Sequence, residues 1–292
     1  MSAQGKVDGI PVAQSYWVFV YSKPLFAKYG LKPSTDWATF MSNAATLKTH
    51  GVTPMVATQN GTWPAFIWFQ ELLSRLDPAF YTKLVNKQAT YTDPTAVKAM
   101  QLWRSFYDMG WFTKPNFDMN TGPAVMRAGK VAMMPCGTWE NGAFAQIGMK
   151  SGTDYDAFIL PPMAAAAKPA IIVESTALTI RSKAPQHAAA LTALTDWMSP
   201  KVQKVWFGFL EDNSANPTVV SPDPVIRAIK AQVERQHLTQ PGRYWEASPP
   251  NLIEDNVQTL GAFMINPDTY PAVLKQMAAT AKTQWADWNS AS

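Results

Sequence analysis

Apolar and polar positions alternate between two periods along this chain. Residues 17–21, Trp-Val-Phe-Val-Tyr, form a short apolar and aromatic run of the strand type. Ser22, Lys23 and Pro24 punctuate it ahead of a short helix that Gly30 ends. Trp37, Phe40, Met41, Ala44 and Leu47 then recur at helical spacing, with Thr35 as the expected N-cap and Gly51 past the end. Residues 53–57 predict a strand, Thr58-Gln59-Asn60-Gly61 a polar turn, and residues 63–76 a helix with Pro64 in its first turn. Asp93-Pro94 starts a helix whose buried stripe is Val97, Met100, Trp103, Phe106 and Tyr107 and which Gly110 stops. A short helix opened by Thr121 and Pro123 closes at Gly129, before a strand over residues 131–134 and a loop over residues 135–139. Residues 155–160 predict another strand, stopped by Pro161-Pro162, and residues 171–180 a long one interrupted by Glu174-Ser175. This alternation argues for α/β layering around a mainly parallel sheet. The remainder reads as helical, over residues 185–198, 200–210, 225–235, 252–264 and 269–288, with a proline-rich stretch at 217–224.

A length of 292 residues and a hydrophobic fraction of 47% suffice for about two domains with real cores. No apolar run approaches the roughly 20 residues of a membrane helix, and residues 1–5 lack a signal-peptide layout. The 25 basic residues are scattered among 21 acidic ones, so the net charge of +4 forms no stripe and nucleic acid is not an expected partner. Cys136 is the one cysteine, and His50, His187 and His237 have no metal-ligand spacing. Neither a phosphate loop nor a dinucleotide fingerprint occurs, so neither cofactor nor metal is expected. Aromatic content is the outlying figure, with 12 Trp, 9 Tyr and 14 Phe making 12% of the chain. Most rings must be core, yet such a surplus suits a sugar, whose C–H faces lie on rings while its hydroxyls need fixed polar partners.

Gly5-Lys6-Val7-Asp8-Gly9-Ile10-Pro11, then Tyr21-Ser22-Lys23, then Leu25-Phe26 before Gly30-Leu31, resemble the extracellular solute-binding proteins of sugar ABC transporters. A second match follows in order: residues 125–134, Val-Met-Arg-Ala-Gly-Lys-Val-Ala-Met-Met, ahead of Gly137-Thr138-Trp139. The segment from Asp154-Tyr155 to Leu160-Pro161, and Ser182-Lys183 before an alanine-rich helix carrying Trp197, extend the likeness over nearly the whole chain. The resemblance implies an α/β, periplasmic-binding-protein-like (type II) two-lobe fold, with the ligand in an interlobe cleft that closes by hinge motion. In maltose-type relatives a block of chain precedes the Gly-Lys run. One lobe is therefore expected to be incomplete, with residues 14–173 and 225–292 forming a nearly complete second lobe. Residues 1–13 and 174–224 would be the remnant of the first lobe and the hinge crossings. Such a remnant would expose Ile172, Ala177, Leu178, Leu191 and Leu194, and needs a complementing N-terminal segment or a second chain.

Trp139 matches the family tryptophan that stacks on a sugar ring; core packing is the alternative. Trp63, Gln59 and Asn60 occupy the other cleft-facing turn, where packing and turn formation compete with contact. Glu174 interrupts an apolar strand at the interlobe crossing, as an acceptor for sugar hydroxyls or a hinge ion pair. Glu140 is either a hydroxyl acceptor or a helix-start acid. Tyr16, beside Trp17, is at the first crossing, where strand core competes with cleft lining. Asn213, with Asn216, is in a loop that approaches the cleft in relatives. Glu254 and Asp255 stand where some relatives carry an aromatic ring. The implied function is non-catalytic carbohydrate binding, of an oligosaccharide or polyol, delivered to ABC transporter membrane subunits. The implied location is periplasmic or extracellular, membrane-associated through the transporter. The alternatives are a glycoside hydrolase using Glu140 and Glu174 as its carboxylate pair, or a sensory ligand-binding module.

Overall fold

The chain enters through three two-residue strands, β1 (Ser2–Ala3), β2 (Lys6–Val7) and β3 (Ile10–Pro11), and then the eight-residue β4 (Ser15–Ser22). This computed structural model describes residues 2–3, 6–7, 9–164 and 167–291; Gly5 and Asp8 of the opening motif lie outside the described residues. Every residue of β4 is buried, which is why its sequence, Ser-Tyr-Trp-Val-Phe-Val-Tyr-Ser, shows no alternation. It is the central strand. Then come α1 (Lys23–Lys28), α2 (Trp37–Thr49), β5 (Thr53–Met55), a 3-10 turn at Trp63–Phe66, α3 (Ile67–Leu76), α4 (Pro78–Val85), α5 (Pro94–Asp108) and α6 (Gly122–Arg127). After β6 (Val131–Gly137), a 3-10 turn at Thr138–Glu140 leads into α7 (Asn141–Gln146), β7 (Tyr155–Phe158), β8 (Val173–Glu174) and β9 (Ala177–Leu178). The rest is helical: α8 (His187–Trp197), α9 (Pro200–Leu210), α10 (Pro224–Arg235), α11 (Pro250–Ile265) and α12 (Tyr270–Ala291).

Side chains decide the helix starts. Asp36, and not Thr35, caps α2, its carboxylate accepting from Thr39 N at 2.8 Å. Asp77, Ser199 and Asp223 cap α4, α9 and α10, each ahead of a proline in the first turn.

The sheet order is β5-β6-β4-β7, with β8 also on β4. It is not mainly parallel, because β4 runs antiparallel to β6, β7 and β8 and only β5 and β6 pair in parallel. Strands β6 and β7 flank β4 and both run antiparallel to it. Phe19 on β4 meets Phe40 at 5.6 Å, Trp68 at 5.5 Å and Phe158 at 5.7 Å, and each such burial contributes roughly 1.5–3 kcal/mol.

Beyond this body, residues 12–14 and 175–176 carry the chain to a small antiparallel ribbon in which Ile10 faces Leu178 and Pro11 faces Ala177. The long strand expected over residues 171–180 is thus two short ones on different sheets, divided at Ser175. Helix α8 packs on α9, and α9 on α7. Every residue of α8 is at least partly exposed. Leu191 is 50% exposed, Val205 74%, Trp206 40% and Phe209 75%, whereas Ile172 is fully buried. No helix among the described residues is long and apolar enough to cross a membrane.

Candidate functional site

Four segments meet where the sheet hands over to the ribbon: the start of β4, the turn after β6, the end of β8 and the stretch around Arg243. Glu174 stands at the centre. Its Oε2 accepts from Trp139 Nε1 at 2.9 Å and from Trp17 Nε1 at 3.1 Å, and its Oε1 pairs with an Arg243 guanidinium nitrogen at 2.9 Å. Backbone hydrogen bonds fix the register, since Val173 N donates to Pro241 O and Arg243 N to Val173 O, each at 2.9 Å. Desolvation raises the Glu174 carboxyl, and Arg243 and the Trp139 indole pull it back. A carboxylate in an apolar strand is therefore accounted for: it is paired with Arg243 and accepts from two indoles, which it orients.

Trp139 is half-buried, with its ring 6.3 Å from Trp17 and 6.2 Å from Trp63, both edge-on. Strand β6 runs through Gly137, which faces Trp17, so the loop expected at residues 135–137 is strand. A Cβ at Gly137 would lie 2.6 Å from Trp139 Cδ1 and 2.8 Å from Cε2. Only glycine lets the indole fold back onto Glu174. The opposite side of the turn is held by Asp212, which accepts from Ser15 Oγ at 2.5 Å, Thr138 Oγ1 at 2.6 Å and Asn213 N at 2.8 Å. Thr138 Oγ1 in turn accepts from Tyr16 N at 3.0 Å. Burial raises the Asp212 carboxyl while the two hydroxyl donors oppose that rise.

Trp63 reaches the cluster through a strained turn. Thr62 has φ 69° and ψ −57°, and Trp63 N donates to Gly61 O at 2.8 Å, a γ-turn of the rare positive-φ kind. The rings continue from Trp63 to Phe66 at 6.4 Å and from Phe66 to Trp245 at 5.9 Å. Gln59 is half-buried and Asn60 exposed, its Nδ2 donating to Asn116 O at 3.4 Å. Glu140 is buried beside Trp139, and desolvation pushes its carboxyl up to about 7. Tyr16 is buried in strand core, its hydroxyl pushed up to about 12 by desolvation. Asn213 is buried at the crossing, its carbonyl accepting from Gln14 N at 3.1 Å. Glu254 is exposed on α11, apart from the cluster, at the rim of a groove with Trp245.

Sequence reasoning did not single out Arg243, Asp212 or Trp245. Arg243 and Asp212 lie 69 and 74 residues from their partners at Glu174 and Thr138, beyond any local pattern. The one available signal was Gly137, since a glycine two residues before a tryptophan marks a close approach.

A sheet body joined by crossing segments to a small antiparallel ribbon, with Trp17, Trp63 and Trp139 gathered at the junction, is the frame of the chain. The chain matches the model of the bacterial extracellular solute-binding protein family over residues 3–204, and it belongs to that family. Membership places it in the periplasm or outside the cell. It is 28% identical over 214 residues, 71% of this chain, to an uncharacterized ABC transporter extracellular-binding protein of Pyrococcus horikoshii, and the match spans 44% of that relative's length. Among solved structures it resembles a chitin oligosaccharide binding protein, with TM-score 0.83 and 17% identity, covering 98% of this chain and 74% of that one. It also resembles the bacterial solute receptor AcbH, described as having an exclusive substrate preference for β-D-galactopyranose, with TM-score 0.85 and 18% identity, covering 97% and 74%. The fold is thus α/β, of the type II periplasmic-binding class.

Proposed function

We propose that this chain is a non-catalytic receptor that holds a neutral saccharide against Trp139 and Trp63 and delivers it to the membrane subunits of an ABC importer. The observation that carries this reading is the pinning of Trp139: Glu174 accepts its indole N–H at 2.9 Å, so the partly buried ring is held at its edge in one orientation. A fixed, half-exposed ring is what a sugar C–H face needs, and pre-orientation lowers the entropy cost of binding. Gln59 and Asn60, on the turn that leads into Trp63, supply hydrogen-bonding groups beside that ring. Relatives whose names specify a chitin oligosaccharide or a galactopyranose support the ligand class. The carboxylate-pair alternative gains nothing, because two indoles and a guanidinium already engage Glu174.

The lobes divide at the crossings: residues 14–173 with 225–292 make one wall of the cleft, and residues 1–13 with 174–224 belong to the other. The exposed face of Leu191, Val205, Trp206 and Phe209 takes a further α/β segment, in cis or from a second chain. Its size follows from the solved relatives, of which this chain covers about three quarters. Docking on the transporter is what associates the protein with the membrane.

Tryptophan fluorescence titration with mono- and oligosaccharides tests this, on the chain alone and on the chain joined to such a segment. Saturable quenching lost in Trp139→Ala is the expected result. A flat response to every saccharide in both forms refutes it.

A further inference from the structure

We propose that Gln70 and Tyr81, on the α3–α4 hairpin, are positioning residues for Trp139, acting through the backbone on either side of Arg243 and through Glu174. The inference rests on the reading of Trp139 as the sugar-binding ring. Both side chains are fully buried, and each bonds to a main-chain atom beside Arg243. Tyr81 Oη donates to Gly242 O at 2.9 Å, 161 residues along the chain, and Gln70 Oε1 accepts from Tyr244 N at 3.1 Å, 174 residues along. The other groups of the same two peptides are engaged as well. Arg243 N donates to Val173 O at 2.9 Å, and Arg243 O accepts from Glu246 N and Ala247 N, each at 3.1 Å. The peptides immediately before and after Arg243 are thus held at both ends, on one end each by the hairpin. The adjoining segment is gripped from the same helix, since the buried Arg75 donates to Ala170 O, and Ile171 N donates to Thr239 O at 2.9 Å.

The guanidinium shows why this register matters. Arg243 has two carboxylate partners: Glu246, three residues on, which accepts from Nε at 2.7 Å, and Glu174 on β8, whose Oε1 lies at 2.9 Å. The first pair is local and travels with its own turn. The second joins two segments and lasts only while the Arg243 backbone keeps its place, because a directed ion pair tolerates little displacement. A shift of residues 242–244 would therefore leave Arg243 with Glu246 and take it from Glu174. The carboxylate that accepts the Trp139 indole at 2.9 Å would then lack its counter-charge and its fixed orientation. A buried amide and a buried phenol cost free energy unless they are hydrogen-bonded, and here both spend those bonds on the flanks of Arg243. Apolar side chains at 70 and 81 could fill the same space but could not set the register.

NMR of the indole N–H groups tests the clamp without ligand, the Trp139 resonance being assigned by its loss in Trp139→Phe. Tyr81→Phe removes one hydroxyl and Gln70→Met removes the acceptor. Each should shift the Trp139 resonance and speed its hydrogen exchange, while the Trp68 indole, bonded to Val56 O at 2.9 Å, stays as in the parent and reports an intact core. Tyr107→Phe removes a hydroxyl that has no partner among the described residues and should move neither resonance. Saccharide affinity, read by fluorescence titration, should fall about three- to tenfold in Tyr81→Phe and Gln70→Met, the worth of one net hydrogen bond. In a Glu174→Gln background the same two changes should cost less than about twofold, because the link they act through is already broken. Equal losses in both backgrounds overturn the proposal, as does a Trp139 resonance unmoved in both single variants or moved only together with that of Trp68. A parent that binds no saccharide overturns the sugar reading alone, and the indole resonances then decide the clamp.

Discussion

Replacing Glu174 by alanine removes one carboxylate and strands three donors: the Trp17 and Trp139 indoles, at 3.1 and 2.9 Å, and the Arg243 guanidinium, at 2.9 Å. Hydrogen bonds to a charged group are worth about 1.5–3 kcal/mol, and breaking a buried ion pair costs about 3–5 kcal/mol. The side chains of Arg243 and Glu174 keep 14% and 16% exposure, so water screens part of this, and Arg243 retains Glu246. The cost should therefore fall near the lower end, at about 3 kcal/mol. Glu174→Gln keeps one acceptor oxygen and loses the charge, for about 1–2 kcal/mol. Urea unfolding measures both, and with an m-value of about 3 kcal/mol/M the alanine midpoint drops by about 1 M. Released indoles should also change the fluorescence emission of the folded protein, and saccharide affinity should fall with them. A midpoint shift under about 0.3 M for Glu174→Ala, with unchanged emission, would refute the argument that this carboxylate organises the junction.

Gly137→Ala places a methyl group in the space of the Trp139 ring; an overpacking penalty of about 1–3 kcal/mol should accompany loss of saccharide quenching, and quenching equal to the parent would count against the pinned geometry. Glu140 is held in its protonated form up to about pH 7 by burial, against a reference of 4.5. The folded state thus binds more protons than the unfolded one in this window, and stability is lost as pH rises from about 4.5 to about 7. Glu140→Gln should match the parent near pH 4 and exceed it by up to about 3 kcal/mol above pH 7, read as denaturant midpoints along the pH series; a difference independent of pH refutes the burial argument. Arg75 and Glu71 form a buried pair at 2.8 Å on α3, and Arg75 also donates to Ala170 O. Arg75→Met should cost about 3–5 kcal/mol by leaving Glu71 unpaired, lowering the melting temperature by about 10 °C. The double change with Glu71→Leu should recover most of that loss, and equal melting of single and double variants would refute it.

Local chemistry made much of the architecture legible. Asp93-Pro94, Ser199-Pro200 and the glycines after helices mark true boundaries, and Met100, Trp103 and Phe106 of the expected stripe lie on the buried face of α5, with Val97 and Tyr107 half-buried at its edges. Strand pairing was less legible. Continuous apolar runs such as residues 17–21 look the same in parallel and antiparallel sheets when both faces are buried, so the antiparallel surroundings of β4 could not be read from periodicity. The break at Ser175 was visible as two polar residues, but not that it sends β8 and β9 to different sheets.

The site shows the same limit in a sharper form. Trp139 and Glu174 were each singled out, one by motif and one by its misfit in an apolar strand, with competing roles for both. Their contact, across 35 residues, and that of Trp17 with Glu174, across 157, settle the local chemistry of each: the indoles satisfy the carboxylate, and the carboxylate orients the indoles. Gly137 is the third part of this arrangement, since a side chain there would separate the other two. A glycine, a tryptophan two residues on and an acid at the crossing are therefore one constraint distributed over three sites in the sequence. It follows that a change at any of the three should act on the same ring, and that Glu174→Ala and Gly137→Ala should be less than additive in their effect on binding, because the second change finds Trp139 already released.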